Sequence, residues 1–161
     1  MSVTELQELV RFLEDRFACA QACTECARAC ALRASLADLD GPADQQLIRR
    51  KGILCAEVCD TTCRLLAEQV TESEDVMRTQ VEWCRAVCLE TADVFDLGRD
   101  GGRDRDRGLG AGPGLGPEAQ VEAHVGAEAG VEAGVEAGAE ESARVCRDCA
   151  RVCSEFLDLL R

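Results

Sequence analysis

The sequence predicts an all-α protein, an antiparallel four-helix bundle with a long Gly/Glu/Ala-rich insertion between its third and fourth helices. Three observations carry that prediction. The twelve cysteines fall into groups spaced by three and four residues, which is the repeat of one helix face. Short connections with break or capping signals separate the first three long stretches, so neighbouring helices run antiparallel. The composition changes abruptly at Gly98 and recovers near Ser142, which marks an insertion rather than a fifth element.

A first helix is expected from Thr4, where Thr4 and Gln7 match a capping box, to about Leu39, ahead of the Gly41-Pro42 break. The second is expected from Ala43 to Val70. The third runs from Glu72 to Leu97, opened by the Thr71/Glu74 capping pattern and closed by Gly98. The segment 98–141 holds glycine, aspartate, arginine and two prolines, then a Val-Glu-Ala-Gly theme, and reads as flexible low-complexity sequence. Its glycine ladder would suggest helix pairing in a membrane, but a glutamate recurs almost every turn, and each interior glycine costs about 0.8–1.0 kcal/mol relative to alanine. The fourth helix is expected from Ser142 to Leu160. Residues 1–97 and 142–161 therefore form the bundle, and 98–141 the insertion.

The cysteines are Cys19, Cys23, Cys26 and Cys30 on the first helix, Cys55, Cys59 and Cys63 on the second, Cys84 and Cys88 on the third, and Cys146, Cys149 and Cys153 on the fourth. Counted down from a common turn near Asp40, all four groups fall within one slab, roughly 15–20 Å long at 1.5 Å per residue. Larger residues bound it. Phe12, Leu13, Phe17, Leu66, Val70, Met77, Val81, Phe156, Leu157 and Leu160 make a plug at the lower end, with Leu36, Leu39, Leu47, Ile48, Val94 and Phe95 at the upper end, the expected mouth. Trp83, beside Cys84, is expected as boundary packing.

Buried cysteine can pack as a small hydrophobe, but packing alone predicts scatter rather than stripes. Two thiolates at i and i+4 can share one metal ion, since two metal–sulfur bonds of about 2.3 Å span roughly the distance between helical neighbours. Soft thiolates select Cu(I), zinc or iron–sulfur clusters. Multiple Cu(I) ions suit a continuous lane best, because that ion accepts low coordination and bridging sulfur. A zinc or mixed thiophilic buffer stays open, although zinc prefers four ligands, commonly brought together from turns. Cys23, Cys26 and Cys30 lack the closing Cys-Pro of a ferredoxin run, and the CxxC pairs Cys23/Cys26 and Cys146/Cys149 lack a surrounding βαβ pattern. A helical interaction module with packing cysteines is the rival from another class.

The formal net charge of −13, of which the insertion carries −6, opposes binding to nucleic acid or anionic membranes. The amino terminus has no secretory pattern and no segment approaches an 18-residue apolar span, so a reducing cytoplasm is expected. No phosphate loop, nucleophile elbow or Cys-His dyad suggests an enzyme; the one histidine, His124, lies in the insertion.

The segments CAQACTECARAC, CAEVCDTTC, CRAVC and CRDCARVC resemble those of the four-helix-bundle copper storage proteins, a cytosolic bacterial family. The resemblance covers about residues 4–97 and 142–160. It implies a bundle whose inward cysteines, here all twelve, hold many Cu(I) ions in storage rather than catalysis, often as a homo-oligomer, with a copper donor or acceptor protein as exchange partner. Family members commonly place His or Met at the bundle mouth. Here Met77 sits at the plugged end and no histidine lies in the bundle, so a mouth site of that kind is not carried over.

Overall fold

The computed structural model describes residues 1–68, 73–105 and 128–160. They form four helices, α1 (Val3–Leu36), α2 (Ala43–Ala67), α3 (Glu74–Arg105) and α4 (Glu128–Leu159). Helix α1 packs on α2 and α4, and α3 packs on the same two, while neither diagonal pair brings its backbones together. The interior is therefore a channel between diagonals that side chains must fill.

The helix ends differ from expectation in instructive ways. Ser2, not Thr4, caps α1: its hydroxyl accepts from the Glu5 N–H at 3.3 Å and the Glu5 carboxylate accepts from the Ser2 N–H at 2.6 Å. Both Thr4 and Ser2 offer the pattern, but Glu5 adds a charge favourable at a helix N-terminus. The helix also stops at Leu36, short of Leu39. Helix α2 ends at Ala67, where Arg16 of α1 donates to the carbonyls of Leu66 and Glu68, each at 2.7 Å. That clamp satisfies carbonyls that have no partner within α2. At the start of α3 the Ser73 hydroxyl accepts from the Val76 N–H at 3.3 Å; Val70 and Thr71 lie outside the described residues.

Gly98 does not end α3, which continues to Arg105, and α4 begins at Glu128 rather than Ser142. Glycine taxes a helix without blocking it, and the first residue that cannot continue one is Pro113. Two helical arms thus reach into the insertion from either side. The expectation of flexible sequence over 106–127, and His124 with it, falls outside the described residues.

At the lower end Leu66, Val81, Phe156, Leu157 and Leu160 are buried, and Phe12 stacks obliquely on Phe156 with ring centroids 5.7 Å apart. Phe17 leaves the expected plug, being 58% exposed, and Leu13 is exposed as well. Helical phase explains the difference: Phe12 lies seven residues from Cys19, hence on its face, whereas Phe17 lies two away and points to the opposite side. The same rule exposes Trp83, one residue off Cys84, instead of packing it at the boundary. At the upper end Ile48 and Phe95 are buried with Ala34, Ala37, Ala92 and Ala143, while Leu36 and Leu39 face outward.

Gly52 sets the approach of α1 and α2. A Cβ there would lie 3.0 Å from the Cys30 carbonyl oxygen and 3.0 Å from the Ala34 Cβ. Replacing Gly52 with leucine forces the two backbones apart, at a cost of about 1–3 kcal/mol or more. Thermal melting of the G52L variant should show a midpoint several degrees below that of the parent chain.

Candidate metal centre

Eleven of the twelve cysteines are fully buried, and none of the twelve is in a disulfide. Their Sγ atoms form a continuous lane contributed by all four helices. At the upper end Cys30 lies 3.3 Å from Cys146, and Cys26 lies 3.7 Å from Cys146 and 3.9 Å from both Cys30 and Cys55. Cys88 comes next, 3.7 Å from Cys26, 3.8 Å from Cys55 and 3.5 Å from Cys59. Cys59 is 3.7 Å from Cys84, which is 3.8 Å from Cys23, itself 3.9 Å from Cys149. Cys19 and Cys153, 3.7 Å apart, close the lower end beneath them.

Three groups of four have every Sγ within 4.8 Å of the others: Cys26/Cys30/Cys55/Cys146, Cys26/Cys59/Cys88/Cys149 and Cys23/Cys84/Cys149/Cys153. Cys26 belongs to the first two and Cys149 to the last two. Consecutive groups therefore share a sulfur. Cys63 departs from the expected set. It is half-buried on the α1–α2 seam, where its sulfur lies 2.9 Å from the Thr24 hydroxyl. Its phase accounts for this, because Cys55 and Cys59 already occupy the inward face and another four residues rotate Cys63 about 40° further, toward α1.

The sequence stripes located the lane but not the polar residues above it. Arg33 and Thr91 are both buried, three residues beyond Cys30 and Cys88 respectively. Extending each stripe by one helical turn would have found them.

Packed thiols divide into acceptors and donors of S–H hydrogen bonds. Cys19 is lowered to about 5, chiefly by hydrogen bonding from Cys153 and then Cys23. Cys26 and Cys55 are lowered through Cys146, and Cys149 through Cys153. Their partners move the other way: Cys30 is raised through Cys146, Cys146 through Cys26, and Cys59, Cys88 and Cys153 through Cys149, with burial adding to each. A few thiolates surrounded by thiol donors is the chemical state such a lane favours. Thiolates of this kind are the nucleophilic, metal-ligating form of cysteine.

A sequence model of the Csp family, described as copper storage protein, matches residues 5–103. The chain belongs to the copper storage protein family. No curated protein matches it. Among solved structures, a histidine-to-alanine variant of Streptomyces lividans Ccsp is similar over 96% of each chain, at 25% identity and a TM-score of 0.50. Two further structures, a cytosolic copper storage protein from Streptomyces lividans with five coppers and Ccsp loaded with 10 copper equivalents, align at 24% and 25% identity with TM-scores of 0.48. Their alignments cover 98% of both chains in the first case, and 94% of this chain and 85% of the other in the second. As in the storage-protein fold, the described helices form an all-α bundle.

Cys23, Cys30, Cys59, Cys88, Cys146 and Cys153 of this storage-family lane sit above their ordinary range and hold protons near neutrality. Metal must displace those protons, so lower pH opposes loading and higher pH favours it. Each ion held between two raised thiols releases two protons, which weakens apparent affinity by up to about a hundredfold per unit fall in pH. Competition titrations at pH 6, 7 and 8 should show affinity rising steadily with pH.

Proposed function

We infer that this chain stores copper(I), sequestering several ions per molecule on the thiolates of its core. The observation that carries the reading is the continuous lane of buried sulfurs 3.3–4.0 Å apart, drawn from all four helices of a storage-family bundle. Uncommitted hydrophobic packing would place branched aliphatic side chains in that volume. Soft, closely spaced thiolates instead suit a monovalent ion that accepts two or three sulfurs and tolerates bridging.

Ten cysteines of the three groups are the proposed primary ligands, with Cys19 adding a sulfur beside Cys153. Cys63 is assigned a peripheral role at the seam. Storage rather than catalysis is favoured because the chain belongs to the copper storage protein family and gathers its thiols in the buried core. Free thiols throughout favour a reducing cytoplasm, and no described helix is long and apolar enough to cross a membrane. The bundle is assigned to residues 1–97 and 142–161, with 98–141 as an appendage that supplies no sulfur. Self-association is assigned to the outer face of α1, where Val3, Leu6, Val10, Leu13 and Phe17 are exposed at the alternating three and four spacing that pairs one helix with another. Copper reaches and leaves the lane through a donor or acceptor protein.

A zinc buffer is the second reading, and one observation favours it: groups of four sulfurs match zinc's preferred coordination. The shared residues Cys26 and Cys149 separate the two metals, because three zinc ions cannot each own four sulfurs from ten.

Anaerobic titration against a strong competing chelator should find several tightly held Cu(I) ions per chain and fewer zinc ions, bound more weakly. Uptake of one copper or none overturns the storage reading. Replacing Cys63 with serine should leave copper capacity within one ion of the parent. Replacing Cys26 or Cys149 should lower it further, since each serves two groups.

A further inference from the structure

The upper end of the lane is closed by a buried cation. Arg33 is only 6% exposed, and its Nε, buried without a hydrogen-bond partner among the described residues, accompanies a Thr91 Oγ1 in the same condition. The guanidinium lies 5.9 Å from the centre of the Phe95 ring, so the side chain crosses from α1 toward α3 over the top of the channel. Arg33 is one turn above Cys30, about 4.5 Å along the axis, and Thr91 is one turn above Cys88. Other threonines in this bundle return their hydroxyls to the helix: Thr62 donates to the Val58 carbonyl at 2.7 Å and Thr24 to the Ala20 carbonyl at 3.0 Å. Thr91 does not make that bond. Burying an unpaired guanidinium N–H and an unpaired hydroxyl is costly, and an arriving acceptor recovers the cost, an anionic one most fully.

Resting on the copper reading above, we propose that Arg33, assisted by Thr91, is the fixed positive cap of the lane. It stabilises the first copper(I)–dithiolate formed in the upper group Cys26/Cys30/Cys55/Cys146 and so makes that group the first to fill. Two thiols and one Cu(I) give a two-coordinate complex of net charge −1, releasing two protons to solvent with no change in copper oxidation state. A lone negative charge in a low-dielectric core is expensive. A guanidinium one turn away neutralises it, and its free N–H supplies a charge-assisted hydrogen bond to a sulfur. At the lower end Arg78 likewise buries an Nε without a partner, but its guanidinium is already paired with the Glu74 carboxylate at 2.7 Å and donates to the Leu160 carbonyl, and Arg16 donates to two main-chain carbonyls, so neither brings an unneutralised charge to the lane. Arg33 is thus a positioning residue that acts on the metal through its ligands.

The test uses the full chain with Arg33→Met, which keeps the length of the stem and removes the charge, Arg33→Lys, which keeps the charge, and Thr91→Val. Two quantities are measured: the metal-free melting temperature, and the affinity for the first and the last copper(I) equivalents by anaerobic competition with a chelator. The cap predicts that R33M melts no lower than the parent without metal, because a buried group lacking a partner has been removed. Its first equivalent should bind about tenfold more weakly or worse, the worth of one charge-assisted contact, with its last equivalents unchanged. R33K should recover most of that loss and T91V should show a smaller one. The inference is overturned if first-equivalent affinity in R33M stays within about twofold of the parent. It is equally overturned if R33M loses metal-free stability and weakens every equivalent alike, the mark of a structural side chain. A parent chain that takes up no copper brings down the storage reading as well, whereas a parent that loads normally beside an indifferent R33M removes only the cap.

Discussion

Sulfur fills the space where a bundle of this length ordinarily keeps leucine and isoleucine, and the rest of the architecture follows from that substitution. Diagonal helices do not touch, so the channel between them must be closed by side chains. Over its middle third those side chains are thiols 3.3–4.0 Å apart, small enough to pack and polarizable enough to attract one another weakly. Each large apolar group that they displace would have contributed about 1.5–3 kcal/mol of burial. Cohesion is concentrated at the two ends instead. Phe12, Leu66, Val81 and Phe156 lock the lower one, Ile48 and Phe95 the upper, and Gly52 lets α1 and α2 meet backbone to backbone beside Cys30.

Much of this was legible in the sequence because helical phase is a strong signal. Phe12, seven residues from Cys19, and Phe156, Leu157 and Leu160, three, four and seven residues from Cys153, were placed correctly by periodicity alone. The misreadings arose where phase was ignored in favour of proximity or composition: Phe17 and Trp83 are large and apolar, stand close to a cysteine in sequence, and face outward. Helix ends were the weakest inference. Ser2 and Thr4 both offer capping patterns, and only the position of the acidic partner separates them. Gly98 was taken as a stop, yet a glycine preference of about 1 kcal/mol does not end a helix that has no proline before Pro113.

The site was legible as a lane of buried sulfurs and illegible as a polar environment. Three residues four apart drift across more of the helix face than the channel admits, but only the packing of α1 against α2 decides that Cys63 is the member that leaves the lane. Arg33 and Thr91 continue the cysteine stripes by one turn, but as a charged and a polar residue type they look in sequence like ordinary surface positions. Their burial is a product of assembly, since α3 must bring Phe95 across before the guanidinium of α1 is covered.

Common ownership of Cys26 and Cys149 also bears on transport within the molecule. An ion moving from one group toward the next can remain attached to the joint sulfur while it exchanges its other ligand, so it is never released into the channel. The barrier to migration is then that of swapping one sulfur for a neighbour less than 4 Å away, as between Cys55 of the upper group and Cys88 of the next at 3.8 Å. Copper in such a row would travel hand over hand, and ions at the far end would remain retrievable through the one by which they arrived.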